Sequence, residues 1–366
     1  MVARALVEGL RALGGATLDV WVDDMYVDLA RLPAHRFPWM YAMTTRRMPW
    51  LWRAFYQASN QAPDQRRMAL VEEFVGGPGL RRILEERRPD VVVSVLPGIA
   101  DFTARTLERA GASATVEIVV TDWADIHLSW ASRYATHHSV PTEQAAGVLH
   151  GAGIPRSAVS VSGFPVREQF VGLATDGAAR RAARARLDLP LDRFIVLAMV
   201  GTEGSPAALA HLRALATIPV DAEILIICGR NARLKRRVER LSGPNSLHPL
   251  GYVEDVASLM LASDLLVTKA GGVTLAEAFC CAVPVVVFDP LPGQEEGNAR
   301  FLAAQRAAEL ATSPHELARI VGELRWNDER RELLAARGGQ FASPGAALRT
   351  AAAILGRAHA NRGDTS

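Results

Sequence analysis

Residues 265–279, LLVTKAGGVTLAEAF, decide the fold class of this chain. They combine an apolar run of strand type, Leu265–Thr268, with two adjacent glycines and a helical pattern that begins near Val273. Glycines at such a strand-to-helix turn let the backbone come close to a ligand, and the first turn of a helix offers free N–H groups to an anion. The stretch therefore predicts an α/β unit with an anion-binding turn, although such a turn also forms simply to pack a helix on a strand.

The same alternation of apolar runs and helical patterns continues through most of the chain. Most runs are rich in Val, Ile and Leu without polar alternation, as in strands buried on both faces of a parallel sheet. This pattern predicts a doubly wound α/β architecture. The predicted strands are Leu18–Val22, Asp90–Leu96, Glu117–Thr121, Val159–Ser162, Phe194–Val200, Glu223–Cys228, Leu265–Thr268 and Val283–Phe288.

Small and polar residues at 172–180, GLATDGAAR, divide the strand series in two. We therefore predict two Rossmann-like domains, at residues 1–172 and 173–344. A terminal helix within residues 345–366 is expected to pack back on the first domain and to be followed by a disordered tail.

The N-terminal half opens on a helix at about Val2, with no strand or tight turn ahead of it. We expect that opening strand and turn to be missing because the chain starts at an internal Met. A variant that never had the strand is the alternative.

Composition and charge narrow the functional classes. The net charge of the 366 residues is only +2, which gives no support to a nucleic-acid partner. No apolar run reaches the length of a membrane span, and the first residues lack the apolar core of a signal peptide. The three cysteines show no metal-ligand spacing, so buried thiols in a reducing cytoplasm are expected.

Two polar features follow the glycine turn. Glu277 lies one helical turn beyond it, where a carboxylate could accept two hydroxyl hydrogen bonds, as from a ribose; a capping or solvent-facing glutamate is the alternative. PLPGQEEGN at 290–298 follows another buried strand, at the sheet edge where ligands bind in this fold class. Its density of donors and acceptors is typical of a sugar site, with a plain acidic helix start as the alternative.

Three further turns carry candidate residues. GYVED at 251–255 offers Tyr252 for stacking on a base, although a strand end with a helix cap explains it equally well. VGTEGS at 200–205 and CGRN at 228–231 each follow a predicted strand with a glycine turn.

An aromatic segment, HRFPWMYAMTTRRMPWLWRAFY at 35–56, holds seven aromatic residues with arginines between them. Trp and Tyr suit a membrane–water interface, and arginines pair with anionic headgroups. We predict an acceptor and membrane-docking surface here, with an ordinary helix pair covering the core as the alternative. The predicted surface residues are Trp39, Arg46, Arg47, Trp50 and Trp52.

Together these motifs resemble the GT-B glycosyltransferases. Specifically, they resemble the branch of monogalactosyl- and glucosyl-diacylglycerol synthases, with the related UDP-GlcNAc transferase of lipid II synthesis. The segments that carry the resemblance are EIVVTDWADIHLSWASRYATHHSVPTE (117–143), LIICGRNARLKRRVERL (225–241), LGYVEDVASLMLASDLLVTKAGGVTLAEA (250–278) and VPVVVFDPLPGQEEGNARFL (283–302). The resemblance implies two Rossmann-like domains facing a cleft. It also implies that the first strand and the glycine-rich loop of the N-terminal domain are missing from this chain.

The resemblance also implies a role for each matching residue. Glu277 would bind the UDP ribose, Tyr252 and Val253 would hold uracil, and Thr274 with the glycine turn would face the diphosphate. The donor sugar would lie against the 290–298 loop. The implied donor-binding residues are Gly201, Glu203, Gly204, Ser205, Arg230, Tyr252, Val253, Gly271, Gly272, Thr274, Glu277, Gln294, Glu295 and Asn298. No metal or other cofactor is expected, because the helix dipole and N–H groups would stabilise the leaving UDP.

The N-terminal half would bind the acceptor. Inverting transfer needs a general base for the acceptor hydroxyl, and Asp122 is the first candidate for it, with His127 the second. The favoured function is transfer of glucose or galactose from a UDP-sugar to a lipid such as diacylglycerol, by a cytoplasmic protein bound peripherally to the inner face of the plasma membrane. The alternatives are a polyprenyl-linked or secondary-metabolite acceptor, and an inactive nucleotide-sugar-binding protein.

Overall fold

The computed structural model describes residues 1–24, 28, 36–61, 79–109, 111, 114–200 and 206–363. Their contacts divide the chain into two compact units. Unit 1 comprises Met1–Arg167, Pro292–Gly297 and Gly345–Ser366, and unit 2 comprises Glu168–Leu291 and Asn298–Pro344. The domain boundaries read from the sequence stay predictions, and the end of the predicted tail, residues 364–366, lies outside the described residues.

Unit 1 is built on a parallel sheet with the strand order β1-β2-β3-β4. The strands are β1 (Val91–Ser94), β2 (Thr115–Val119), β3 (His137–Val140) and β4 (Val159–Val161). Every residue of β2 is buried, including the polar Thr115 and Glu117. No bounds were predicted for strand β3, which opens with His137 and His138 and not with an apolar run.

The predicted strand Leu18–Val22 is wrong, since the structure has no strand between residues 18 and 24. Trp21 and Val22 are exposed there, so the apolar pattern covers no sheet face. The Arg87 guanidinium lies over the Trp21 ring and also pairs with Asp23, and these surface contacts hold the segment.

Seven helices accompany the described part of this sheet. The first and the last of them pack together, and Gly9 is needed at their crossing because a Cβ there would meet the Ala347 carbonyl oxygen at 3.0 Å. Arg357 on the last helix donates two hydrogen bonds of 2.7 Å to the buried Glu117 carboxylate of β2. The helices span Val2–Gly14, Phe37–Arg47, Pro49–Ser59, residues 79–87, Ile99–Arg109, Glu143–Gly151 and Ala346–Gly363.

Unit 2 has a six-stranded parallel sheet with the order β10-β9-β8-β5-β6-β7. Its strands are β5 (Phe194–Met199), β6 (Ala222–Ile227), β7 (Ser246–Leu250), β8 (Leu265–Thr268), β9 (Val285–Phe288) and β10 (Glu309–Ala311). The strands predicted in this half lie within about two residues of β5, β6, β8 and β9, a normal margin for element ends. The sequence predictions did not assign bounds to β7 or β10, which are short and carry polar residues or a proline.

Five helices of unit 2 begin at side chains that accept hydrogen bonds from their first turns. Asp176, Asn231, Asp255, Ser313 and Asn327 each fill this capping position. The helices span Gly177–Arg186, Pro206–Thr217, Ala232–Val238, Val256–Ala262, Gly272–Cys280, Pro314–Arg325 and Asp328–Gly339. A further helix, Gln294–Ala304, begins in the segment grouped with unit 1.

Burial of the cysteines agrees with the sequence pattern. All three cysteines are buried and free, and burial raises the pKa of Cys228 and Cys280 to about 11, so that both remain thiols. In the described part of the chain, no helix is long and apolar enough to cross a membrane.

Candidate functional site

The strand order of unit 2 indicates where a ligand binds. The chain proceeds from β5 to β6 and β7 on one side, and then returns to place β8 on the other side of β5. In open parallel sheets, ligands bind beyond the carboxyl ends of the strands at such a reversal. Met199 and Thr268 pair in register at that point, so the site lies where β5 and β8 end.

The predicted anion-binding turn occupies this position. Strand β8 ends at Thr268, and the next helix begins at Gly272 with Gly271 as its cap. Gly271 has no side chain to accept from the first-turn N–H groups, and Gly271 through Thr274 are only half-buried. The backbone N–H groups and the positive end of the helix dipole are thus suited to an anion.

Glu277 lies on the buried face of the same helix and is only 1% exposed. This burial excludes the solvent-facing alternative. A carboxylate at such depth is tolerated only among hydrogen-bond donors. The assignment of Glu277 to a ribose stays a prediction.

Two contacts brace the turn from neighbouring elements of unit 2. The buried Asn298 side chain donates a hydrogen bond of 3.2 Å from Nδ2 to the carbonyl oxygen of Ala270. Lys269 Nζ lies 3.3 Å from Asp289 Oδ2 and so links the residues that follow β8 and β9. The sequence suggested a sugar-binding role for Asn298, whereas the lysine contact was not predicted at all.

Arg230 and Tyr252 meet after β6 and β7. The Arg230 guanidinium lies 5.1 Å from the centre of the Tyr252 ring, and both side chains are exposed. Val253 is half-buried beside them. With strands about 4.8 Å apart, β7 lies about 14 Å from β8 along the same sheet edge. A flat aromatic–guanidinium surface at that distance from an anion-binding turn suits the base of a nucleoside diphosphate.

Four of the predicted donor-binding residues, Gly201, Glu203, Gly204 and Ser205, lie outside the described residues.

In unit 1, the structure brings together Asp122, which the sequence analysis proposed as the general base, and Gln294, which it proposed as a sugar-binding residue. Asp122 follows β2 and is buried. Its Oδ2 accepts a 2.9 Å hydrogen bond from the Trp130 indole, and its Oδ1 accepts one of 2.8 Å from Gln294 Nε2. The predicted general base and a predicted sugar-binding side chain are therefore direct partners.

The segment Pro292–Gly297 is held tightly within unit 1. Gly293 has a φ of +86°, and a Cβ on it would lie 2.6 Å from the Tyr56 ring, so only glycine fits. Glu296 pairs with Arg53, and its Oε2 accepts from the Gly293 N–H at 3.2 Å. Glu296 thus acts as a local cap, as the acidic-helix alternative suggested, while Glu295 is half-buried.

Tyr56, Arg53 and Asp125 belong to this arrangement but were not predicted. Asp125 is exposed, and a Cβ on Gly297 would lie 2.8 Å from its Cβ. Burial, followed by the charges of Asp122 and Asp125, raises the pKa of the Tyr56 hydroxyl. A sequence pattern could not reveal these neighbours, because they come from distant parts of the chain.

The second predicted base, His127, is engaged at both ring nitrogens. Its Nδ1 accepts from the Ser129 backbone N–H at 3.1 Å, which places the proton on Nε2, 3.2 Å from Ser59 Oγ. Burial lowers the pKa of His127, an effect that the Tyr56 backbone carbonyl opposes. The ring is therefore neutral, and it links the helix Pro49–Ser59 to the turn at Ser129. Its role as a base stays a prediction.

The predicted membrane-docking residues lie on two consecutive helices, Phe37–Arg47 and Pro49–Ser59. Trp39 and Trp50 are 63% and 68% exposed, so they do not cover the core. Trp52 is half-buried, with its ring edge-on to Tyr41 at 4.8 Å, and it joins the two helices. Arg46 and Arg47 end the first helix, and Arg47 is exposed.

Family models match both halves of the chain. Residues 1–166 match the monogalactosyldiacylglycerol (MGDG) synthase family, and residues 200–338 match the family of glycosyl transferases group 1. The resemblance identified from the motifs is thereby confirmed.

Two curated relatives extend the likeness over both domains. A probable chloroplastic monogalactosyldiacylglycerol synthase of Glycine max is 28% identical over 87% of this chain and 62% of its own length. A processive diacylglycerol beta-glucosyltransferase of Bacillus licheniformis is 26% identical over 88% of this chain and 82% of its own. The chain thus spans about three fifths of the plant relative and about four fifths of the bacterial one.

Among solved structures, MurG of Acinetobacter baumannii matches with a TM-score of 0.56 and 20% identity, over 78% of this chain and 80% of its own. MurG is a GT-B enzyme, and the predicted GT-B class with two Rossmann-like domains is confirmed.

Proposed function

We propose that this protein is an inverting glycosyltransferase that moves glucose or galactose from a UDP-sugar to a lipid acceptor such as diacylglycerol. One observation carries the proposal. Beyond the carboxyl ends of the unit 2 strands lie an aromatic–guanidinium surface and an uncapped helix start, and the same helix carries the buried Glu277, so groups suited to a base, a diphosphate and a ribose occur in one unit. The sugar and acceptor come from the relatives, whose names specify diacylglycerol and a galactosyl or glucosyl group.

The donor half of the mechanism uses groups of unit 2. As the bond between the sugar C1 and the diphosphate oxygen breaks, negative charge develops on UDP. The N–H groups and dipole at Gly271–Thr274 would stabilise that charge without a metal ion. Glu277 would hold the ribose hydroxyls, and Tyr252 with Arg230 would hold the uracil.

The acceptor half uses Asp122. The acceptor hydroxyl oxygen attacks C1 from the face opposite UDP, which inverts the anomeric configuration, and its proton passes to a general base. The hydrogen bonds from Trp130 and Gln294 fix the orientation of the carboxylate, as a general base requires.

The lipid substrate implies work at a bilayer surface, and we propose that the protein binds the inner face of the plasma membrane peripherally. The exposed Trp39 and Trp50 support docking through the helices that carry them, since Trp favours the membrane–water interface.

Replacing both Trp39 and Trp50 by alanine should weaken binding to phospholipid vesicles. The control is Trp326→Ala, because Trp326 is 73% exposed on unit 2. Equal binding by the two variants would exclude this docking surface.

A transfer assay tests the function itself. The protein is incubated with diacylglycerol in detergent micelles and with UDP-glucose, UDP-galactose or UDP-GlcNAc in turn. Mass spectrometry identifies the glycolipid, and proton NMR gives its anomeric configuration. A β-linked hexosyl product from one of the first two donors is expected. Retention of configuration, or transfer only to a polyprenyl phosphate acceptor supplied in parallel, would overturn the proposal.

A further inference from the structure

An arginine stripe on unit 2 has no part in the site described above. It consists of Arg233, Arg236, Arg237 and Arg240, on the helix Ala232–Val238 and the turn after it, and all four are exposed. Their spacing of three, four and seven residues places them on one helical face. The opposite face carries Leu234 and Val238, which are buried in the core of the unit.

These arginines are not needed to neutralise carboxylates. Within the described ranges, none of the four forms an ion pair, whereas Arg184 and Arg330 on other helices pair with acidic side chains. Residues 230–240 contain five arginines and one lysine against a single glutamate, a net charge of +5. The whole chain carries only +2, so the rest of it is net negative and the positive charge is concentrated here.

A row of unpaired guanidinium groups suits a surface of phosphates, because each group donates several hydrogen bonds and stays charged at all physiological pH values. Clusters of basic residues on a helix bind anionic lipid headgroups in this way. Binding of single-stranded nucleic acid usually adds aromatic side chains on which bases stack, and residues 233–240 contain none.

We propose that the arginine stripe binds the phosphate headgroups of an anionic bilayer, as a membrane contact of unit 2 separate from the exposed tryptophans of unit 1. The choice of a bilayer rests on the proposed lipid-directed function. One weak membrane signal gives marginal, reversible binding, and a second one makes it stable. The stripe therefore makes membrane binding depend on the content of anionic lipid.

Vesicle co-sedimentation tests this proposal. The stripe variant carries Arg233→Gln, Arg236→Gln, Arg237→Gln and Arg240→Gln. A matched variant carries Arg11→Gln, Arg81→Gln, Arg156→Gln and Arg181→Gln, which removes the same charge from exposed positions elsewhere. Each protein is mixed with vesicles of phosphatidylcholine alone or of phosphatidylcholine with phosphatidylglycerol. Thermal melting confirms that each variant is folded.

The wild type and the matched variant should bind the anionic vesicles more tightly than the neutral ones. The stripe variant should lose at least about tenfold in affinity for the anionic vesicles, since one basic residue near such a surface contributes about fivefold. Its binding to neutral vesicles should not change. Equal losses in the two variants would show an effect of net charge alone and would overturn the proposal.

Two further measurements distinguish bilayer binding from donor capture and from nucleic-acid binding. With diacylglycerol in detergent micelles, the stripe variant should keep the wild-type kcat and the KM for the UDP-sugar; a raised KM would assign the stripe to donor capture and overturn the proposal. Binding of a labelled single-stranded oligonucleotide is measured in parallel, and loss of that binding in the stripe variant with vesicle binding intact would also overturn the proposal. If the wild type transfers no sugar in micelles, the proposed function fails, but the vesicle result still decides whether the stripe binds anionic lipid.

Discussion

The turn after β8 in unit 2 and the loop after β2 in unit 1 both follow a buried parallel strand, yet they use their polar groups differently. The β8 turn leaves its N–H groups at an uncapped, half-buried helix start. The β2 loop places Asp122 and His127 among partners from distant parts of the chain. The first geometry suits an incoming ligand directly, whereas the second fixes the orientation of side chains.

The largest expected effect tests whether the Asp122 carboxylate of unit 1, whose orientation is fixed by hydrogen bonds, also takes part in the reaction. Asp122→Asn keeps the shape and the hydrogen bond from Trp130 but removes the basic oxygen. If Asp122 is the general base, kcat for transfer to diacylglycerol should fall by about 10²–10⁴, with little change in the KM for the UDP-sugar.

Asp125→Asn is the matched control, since Asp125 is an exposed aspartate of the same loop. It should keep most of the wild-type kcat. A similar loss in both variants, or a small loss in Asp122→Asn, would reduce Asp122 to a structural role.

The next effect concerns the tight packing of Pro292–Gly297 in unit 1. Gly293→Ala imposes a side chain at a positive φ and against the Tyr56 ring, and should lower the free energy of unfolding by about 2–4 kcal/mol. Gly322→Ala is the control, because nothing lies near a Cβ at that helical glycine. It should raise the stability by about 0.5–1 kcal/mol. Equal shifts in chemical denaturation would show that Gly293 is not constrained as described.

The dependence of folding stability on pH tests whether the buried His137 of unit 1 stays uncharged in the folded chain. Burial, the positive charge of Arg357 and the neighbouring His138 lower the pKa of His137 to about 4, from 6.5 in the unfolded chain. Between these values the unfolded chain binds a proton that the folded chain does not, so stability falls as the pH drops from 6.5 to 4. One such group contributes at most about 1.4 kcal/mol per pH unit.

His137→Gln removes this proton and should therefore flatten the dependence of the melting temperature on pH over that window. His150→Gln is the control, because it makes the same change at another half-buried histidine of unit 1, on the helix Glu143–Gly151. An unchanged slope in His137→Gln would contradict the assignment.

The smallest effect tests the aromatic–guanidinium surface of unit 2. Tyr252→Ala removes the ring against which Arg230 lies and should weaken UDP binding by about 0.5–1.5 kcal/mol. Tyr252→Phe keeps the ring and should bind like the wild type. Calorimetry distinguishes the two, and equal weakening would indicate that the hydroxyl, not stacking, matters.

The sequence predicted unit 2 better than unit 1 for a physical reason. The strands β5, β6, β8 and β9 and the glycine turn depend on runs of neighbouring residues, which a local pattern contains. The apolar stretch Leu18–Val22 has the same local pattern, but its exposed Trp21 and Val22 are held by Arg87 instead of a sheet. Local patterns report propensity, and tertiary contacts decide the outcome.

The residues of the candidate site likewise fall into those that a local pattern could predict and those that only tertiary contacts reveal. Gly271, Glu277 and Tyr252 could be proposed because each follows a strand at a fixed distance along the chain. The bond between Gln294 and Asp122 joins positions 172 residues apart, so only the folded chain reveals it. Tyr56 and Asp125 were missed for the same reason.

The most direct test of the account is calorimetric titration of UDP into the wild type and Glu277→Gln, with Glu254→Gln as an exposed control. If the β8 turn and its buried glutamate hold the nucleotide, Glu277→Gln should lose about 1–3 kcal/mol, roughly five- to 150-fold in affinity, as for a lost charge-assisted hydrogen bond. The control should bind UDP like the wild type. Unchanged affinity in folded Glu277→Gln would contradict the proposed nucleotide site.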